Sequence, residues 1–236
     1  MNKKRTYFEK IREFNKLLAN VSISLPEGFE LINPFIGEQS NSVWKLADAF
    51  YSKFYNDTRK RHLILGSSPA RRGSAVIGVP FEDAEHLKKE TGICIENYHV
   101  NKSSSNFLFE VIEEYGGFSK FYNDYYMNFV CPLGLTRTNT NGKKVNCNYY
   151  ENKEVQHILE PFILNSIKIQ LNFGLETKIC ICIGSGENYV FLKNLNNKYH
   201  FFEKIIPLEH PRYIMQYNSN RKDEFLKKYL AALNFI

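Results

Sequence analysis

Apolar residues recur every three or four positions in several stretches of this chain, a spacing that lines one face of an amphipathic helix. Stretches with this pattern cover residues 5–20, 40–55, 106–124, 154–173, 187–197 and 221–236. Two of these stretches also contain residues that interrupt helices. Gly116 and Gly117 predict a break in the third stretch, and Pro161 predicts a kink or a break in the fourth.

Four short runs of mostly apolar residues alternate with these helices and predict strands. They cover residues 62–66, 126–133, 178–186 and 203–211. The third run has the continuous apolar centre of a strand buried on both faces, and Pro207 places the fourth at a sheet edge. Strands that alternate with helices form parallel sheets covered on both faces. We therefore predict an α/β fold, a three-layer α/β/α sandwich around a four-stranded parallel sheet.

Two further stretches show neither pattern and are predicted to be connecting loops. Residues 21–39 contain two prolines and two glycines, residues that favour turns over regular structure. Residues 136–150 are polar and carry the turn signal Asn141-Gly142. We expect the second of these loops to be exposed.

Length and composition favour one globular domain. The 236 residues, with 43% hydrophobic and 24% charged side chains, suit a single core of ordinary size. We expect one domain over residues 1–236, with N-terminal helices in residues 1–57 and an α/β core in residues 58–236. The formal net charge of +6 favours polyanionic partners, because counterions are released when cations bind them.

The cysteines and the N-terminal residues indicate which cofactors and which cellular compartment to expect. Five cysteines occur without a Cys-x-x-Cys pair or a His-x-x-x-His motif, so we expect free thiols in a reducing compartment and no metal or other cofactor. The basic N-terminus leads into an amphipathic segment rather than the apolar run of a signal peptide. No apolar run approaches membrane-spanning length. We therefore expect a cytoplasmic monomer with no membrane partner.

Distinctive residues stand at the end of each predicted strand. In order they are Gly66-Ser67-Ser68-Pro69, Asn128 ahead of Cys131-Pro132, Gly184-Ser185-Gly186, and His210-Pro211-Arg212. Ligands of parallel α/β sheets bind beyond the carboxyl ends of the strands, so we expect these residues to share one cleft. Nearby, the ring of Phe81 and the cations Arg71 and Arg72 suit a nucleotide or a nucleic-acid base.

The longest motif spans Leu65 to Phe81 and reads Leu-Gly-x-x-Pro-x-x-x-Gly-x-Ala-x-x-Gly-Val-Pro-Phe. It resembles the first motif of the uracil-DNA glycosylase superfamily and is most similar to the single-strand-selective monofunctional branch. That branch also has an Asn-bearing strand ending in Cys-Pro-Leu, to which residues 128–133 are similar. Its late His-Pro, followed by an Arg-containing wedge segment, resembles residues 210–212. The resemblance covers about residues 60–230.

This resemblance implies a DNA repair enzyme. Such an enzyme flips uracil, or another modified pyrimidine, out of single- or double-stranded DNA and hydrolyses its N-glycosidic bond, which leaves an abasic site. The resemblance implies that Phe81 stacks on the flipped base and that Asn128 reads its Watson–Crick edge. It also implies that His210 stabilises the negative charge that grows on the O2 side of the base.

Neighbouring residues take further roles by the same resemblance. The backbone amide of Ser67 would assist at the base, the region of Ser68 would hold the attacking water, and Ala70 would border the pocket. The reaction needs no metal or organic cofactor. The cations that would contact DNA are Arg71, Arg72 and Arg212.

Three residues depart from the family pattern and suggest a divergent subgroup. Ser68 stands where asparagine is common, so a hydroxyl would replace a carboxamide in positioning water. Ala70 stands where close relatives have glycine, which changes the width of the pocket. Asn128 lies one residue further from Cys131-Pro132 than expected, and on an ideal strand that shift turns its side chain to the other face unless a bulge intervenes.

Two other functions remain open. The first is a non-catalytic nucleic-acid-binding module, which the serine at position 68 supports. The second is a nucleotide-binding enzyme that uses Gly184-Ser185-Gly186 as a phosphate turn, although the chain lacks a P-loop lysine. No lysine lies in the four strand-end motifs, so a glycosylase of this sequence would form no Schiff base.

Overall fold

A computed structural model describes residues 4–94 and 102–235. In chain order its strands are β1 (Phe29–Ile32), β2 (His62–Gly66), β3 (Tyr125–Phe129), β4 (Gly134–Thr138), β5 (Lys144–Cys147), β6 (Glu176–Ile183) and β7 (Lys204–Leu208). Its helices are α1 (Tyr7–Ala19), α2 (Ser40–Tyr55), α3 (Ser74–Ile77), α4 (Ala84–Thr91), α5 (Lys102–Tyr115), α6 (Phe118–Asp124), α7 (Lys153–Leu171), α8 (Glu187–Tyr199), α9 (Pro211–Tyr217) and α10 (Lys222–Asn234). A short 3₁₀ turn, Ser219–Arg221, joins the last two helices.

Four strands form the predicted parallel sheet, in the order β3-β2-β6-β7. The interior strand β2 is almost wholly buried and pairs Leu65 with Asn128 on one side and with Cys182 on the other. The strand with Pro207, β7, lies at an edge, as predicted, because proline cannot donate to a second neighbour. Helices flank the sheet, so the predicted α/β fold is confirmed.

A second, antiparallel sheet is built from two stretches that we predicted to be loops, so that prediction is wrong. Its order is β1-β4-β5. These strands are only four or five residues long, too short to show a clear alternation in the sequence. Tertiary packing sets their position. A Cβ at Gly134 would lie 2.6 Å from the Cβ of Ala75, so β4 packs against α3 only because its first residue is glycine.

The two helix interruptions behave differently. Gly116 and Gly117 end one helix and begin the next with φ values of 123° and 86°, which confirms the predicted break. The helix that contains Pro161 runs unbroken from Lys153 to Leu171, so a break there was wrong. Pro161 is exposed, where water can satisfy the carbonyl that its missing N–H leaves unpaired.

Within the described residues, no helix has both the length and the apolar character needed to cross a membrane.

A buried cation joins the N-terminal helices to the sheet. Arg61, which is fully buried, pairs with Asp57 through two bonds of 2.9 Å. Its Nε donates to the carbonyl of Tyr122 at 2.6 Å. Its guanidinium carbon lies 4.8 Å from the ring centroids of both Tyr7 and Tyr55. The charge is paired, hydrogen-bonded and stacked, so removing it leaves several buried groups unsatisfied.

Candidate active site

A cleft of about 1020 Å³ opens at the carboxyl end of the parallel sheet. Each of the four strands contributes its last residue or one just beyond it to the wall: Ser67, Phe129, Gly184 and His210. This is the edge at which parallel α/β sheets bind ligands. The four strand ends therefore meet at one cleft, although the residues named for the second strand, Asn128 and Cys131-Pro132, do not line it.

Eight of the nine residues predicted for the site line this cleft. They are Ser67, Ser68, Ala70, Arg71, Arg72, Phe81, His210 and Arg212. The exception is Asn128. Among the residues that the structure describes, no group of three or more His, Cys, Asp or Glu side chains is arranged to hold a metal ion.

The ring of Phe81 is fixed in the cleft by an unusual backbone conformation. Its φ is 63°, a left-handed value that is strained for a bulky residue. Its N–H donates to Ser74 Oγ at 3.0 Å, which helps to hold this conformation. The ring stacks on Phe129 with centroids 4.7 Å apart and planes 21° apart. Strain retained at a cleft residue points to function, and here it presents a flat ring to a ligand.

Gly66 leaves the space that these two rings occupy. A Cβ at this position would lie 2.5 Å from Cζ of Phe81 and 2.9 Å from Cδ1 of Phe129. We expect Gly66→Ala to displace the rings and to lower the free energy of unfolding by about 1–3 kcal/mol, as other overpacked cores do. Urea denaturation measures this loss. A second change, Phe129→Leu, should restore part of it, and an unchanged midpoint for Gly66→Ala would contradict this packing.

His210 is held as a neutral hydrogen-bond donor. Its Nδ1 accepts the backbone N–H of Arg212 at 3.1 Å. Although the ring is exposed to the cleft, desolvation by the surrounding protein, and then the charge of Arg212, lower the pKa of His210 from 6.5 to about 4. The imidazole is therefore neutral at pH 7. Because Nδ1 accepts, the proton lies on Nε2, which can donate to a ligand.

Two serines that follow β2 contribute hydroxyl groups to the wall. Ser67 Oγ donates to Asn148 Oδ1 at 3.0 Å. Ser68 Oγ is buried, and among the described residues its hydrogen-bonding neighbour is the thiol of Cys131. Burial raises the pKa of that thiol to about 12, so it stays neutral. The Ser68 hydroxyl therefore keeps hydrogen-bonding capacity for another group.

The structure keeps Asn128 out of the cleft, which corrects its predicted role. Its Nδ2 donates to the hydroxyl of Tyr126 at 2.8 Å, and its Oδ1 accepts the N–H of Phe129 at 2.8 Å. The register of β3 against β2 is continuous, without the bulge that would turn the side chain. Successive side chains of a strand point to opposite faces, so the next residue, Phe129, enters the cleft instead.

Two asparagines that the sequence analysis missed also line the cleft. Asn146 and Asn148 lie in and just after β5, within residues 136–150, which we took for an exposed loop. Asn146 Oδ1 accepts the backbone N–H of Arg71 at 2.9 Å, so β5 braces the loop after β2. The two asparagines alternate about the buried Cys147, and that period of two is the signal that could have revealed them.

Buried acids support the segment that follows the stacking ring. The carboxylate of Glu82 accepts a hydrogen bond from the hydroxyl of Tyr122 and bonds to Nδ1 of His86. Burial raises the pKa of Glu82, although these two bonds oppose the shift. Asp83 caps α4 by accepting the N–H of His86 at 2.9 Å, and it also accepts from Ser105 Oγ at 2.9 Å. The two acids therefore anchor the start of α4.

The rim of the cleft is cationic and aromatic. Arg71 is half-buried, while Arg72 and Arg212 are exposed. On α9, the side chains of Tyr213 and Tyr217 are 49% and 70% exposed and lie beside these cations. Guanidinium groups bind phosphates, and exposed aromatic rings stack on unpaired bases. The cleft therefore combines a flat ring and a neutral imidazole with a rim of cations and exposed aromatic rings.

Comparisons with known proteins define the family. The model of the uracil DNA glycosylase superfamily matches residues 52–234, and the chain belongs to this superfamily. Its members are glycosylases, hydrolases of N-glycosyl bonds that act on DNA. Among solved structures, wild-type SMUG2 of Pedobacter heparinus has a TM-score of 0.91 and 39% sequence identity, over 98% of this chain and 98% of that chain. No curated protein matches the sequence significantly.

Proposed function

We propose that the protein hydrolyses the N-glycosidic bond of uracil in DNA and leaves an abasic site. The observation that carries this proposal is the pairing of Phe81 and His210 in one cleft, since a strained ring and a neutral imidazole suit a flat, polar base. The family membership and the similarity to SMUG2 support the same reaction.

In the proposed reaction, a flipped uracil stacks on Phe81 and the bond between N1 and C1′ breaks. The electron pair of that bond moves onto the base, where negative charge collects at N1 and O2. The Nε2–H of His210 donates to O2 and stabilises the charge as it develops. Water adds to C1′ of the sugar and releases a proton to solvent, which completes the hydrolysis.

The hydroxyl of Ser68 is our candidate for holding the attacking water. Ser68 lines the cleft, but its Oγ is covered, so we propose that its side chain rotates toward the cleft to hold the water. The neighbouring thiol of Cys131 stays neutral. None of the described residues that line the cleft is a lysine. A Schiff base to the sugar therefore has no donor there, which supports a monofunctional enzyme without lyase chemistry.

The cationic rim is proposed to hold the DNA backbone while the base is flipped. Arg71, Arg72 and Arg212 surround the entrance and would contact phosphates. Such contacts weaken as salt rises, because each counterion released from the DNA gains less entropy in a more concentrated salt solution. The alternative phosphate turn loses support, since the N–H of Gly184 already donates to the carbonyl of Leu208 at 2.7 Å.

An excision assay tests the proposal directly. A labelled oligonucleotide with one uracil is incubated with excess protein, and alkali then cleaves any abasic site. We expect cleavage at the uracil in the single strand, the duplex or both, and none in a matched oligonucleotide with cytosine. Binding without any abasic product would instead favour the non-catalytic module, for which the serine at position 68 is the supporting observation.

A further inference from the structure

The site lacks a base-reading group at the position where the family motif led us to expect one. The Asn128 carboxamide is buried outside the cleft, and Phe129 fills the adjacent part of the cleft. An aromatic ring cannot tell uracil from cytosine by hydrogen bonding. Selectivity for uracil therefore requires a polar group from another element of the fold.

Three carboxamides line the cleft among the described residues: Asn146, Asn148 and Gln216. Gln216 is exposed on α9 and accepts from Arg212 Nε at 3.2 Å, so it belongs to the rim. Asn146 is also exposed, and its Oδ1 is engaged by a backbone N–H. Asn148 is half-buried and bonds to Ser67, the first residue after the central strand β2.

The amide of Asn148 is held in one orientation from both ends. Its Nδ2 donates to Glu151 Oε1 at 2.9 Å, and its Oδ1 accepts from Ser67 Oγ at 3.0 Å. The backbone N–H of Asn148 donates to the same Glu151 oxygen at 2.9 Å. An ionised carboxylate only accepts, so the nitrogen end must face Glu151 and the amide cannot flip.

This arrangement leaves the capacity that reading a uracil requires. Each amide oxygen can accept two hydrogen bonds and each amide nitrogen can donate two. Asn148 therefore retains one acceptor position and one N–H beyond the bonds to Ser67 and Glu151. Uracil offers a donor at N3 and an acceptor at O4, which match these two positions. Cytosine offers an acceptor at N3 and a donor at its 4-amino group. The Asn148 oxygen would then face an acceptor and its N–H a donor, so neither hydrogen bond would form.

We propose that Asn148 reads the Watson–Crick edge of the flipped pyrimidine, and that Glu151 is a positioning residue that sets the orientation of its amide. The inference rests on the proposed uracil excision. The residue that reads the base would then lie just after β5 rather than on the parallel sheet. The hydrogen bond from Ser67 holds this residue beside the end of β2.

The test measures single-turnover excision from oligonucleotides that carry one uracil or one cytosine. Asn148→Ala should lower uracil excision by at least about tenfold, because a buried pair of hydrogen bonds to the base is lost. The matched control Asn194→Ala removes an exposed carboxamide of α8 that lies outside the cleft, and its rate should stay within about threefold of wild type. Asn128→Ala has no contact with the base in this scheme and should act only through stability, which thermal unfolding reports.

Selectivity separates base reading from a merely structural role. Asn148→Asp, made together with Glu151→Gln so that two carboxylates do not face each other, replaces the donor with a group that accepts from the cytosine amino group. The ratio of cytosine to uracil excision should therefore rise. Glu151→Gln frees the amide to flip, so uracil excision should fall while the midpoint of thermal unfolding stays near wild type. Both substitutions keep the size of the native side chain, so they still test the proposal if Asn148→Ala does not fold.

The outcomes distinguish the two proposals. If wild type excises uracil but the Asn148 variants keep its rate and its selectivity, base reading by Asn148 is wrong and the proposed function stands. If the Asn128 variant alone loses uracil excision without loss of stability, the reading group is Asn128. If wild type produces no abasic sites, the proposed function fails and the inference fails with it.

Discussion

His210→Ala should lower the single-turnover rate of uracil excision by about 10²–10³-fold, the cost of removing one donor aimed at developing negative charge. The alanine variant lacks the Nε2–H that we place at O2 of the base. Its fold should persist, because the ring is exposed to the cleft and packs no core. The control is His157→Ala, which removes an exposed imidazole on α7 outside the cleft.

The pH profile tests the same residue. With a pKa of about 4, His210 is neutral at every pH well above that value. The excision rate of wild type should therefore be flat between about pH 6 and pH 8 and should fall as the pH drops through about 4. Protonated Nδ1 can no longer accept the N–H of Arg212, so the ring loses the bond that orients its Nε2–H toward the base. A rate that falls with a midpoint near 6.5 would show that the cleft does not desolvate this imidazole.

Arg61→Leu should lower the free energy of unfolding by about 3–5 kcal/mol, because each buried carbonyl that loses its donor costs about 1–3 kcal/mol. The change leaves the carbonyls of Tyr122 and Phe54 without their donors, and Asp57 without its partner. Burial acts to raise the pKa of Asp57, but the bonds from Arg61 outweigh it and hold that pKa below its usual value. Equilibrium denaturation in urea measures the loss.

Two further variants separate the loss of the Arg61 contacts from a general effect of removing a cation. Arg59→Leu removes an exposed cation two residues away and should change stability by no more than about 0.5 kcal/mol. Arg61→Lys keeps the charge but loses the two-bond geometry, so its stability should lie between wild type and the leucine variant. A leucine variant as stable as wild type would show that apolar packing, rather than the ion pair, joins these helices to the sheet.

The parts of the fold that the sequence predicted correctly are those with local signals. Apolar runs marked the four parallel strands, and the Gly116-Gly117 pair marked a helix boundary. The antiparallel sheet was missed because its strands are held by pairing with distant segments, such as Glu30 with Thr136, rather than by their own composition. Pro161 misled us because an exposed proline can remain inside a long helix.

By itself the sequence determined the parallel sheet, the edge at which the cleft opens, and eight residues of the cleft wall, because strand-end motifs of a parallel sheet converge by topology. Tertiary structure alone decided the protonation of His210, since desolvation depends on what surrounds the ring. It also decided that Phe129 rather than Asn128 faces the cleft. Finally, it brought Ser67 to Asn148 across 81 residues of chain, a contact that no local pattern encodes because packing between separate sheets creates it.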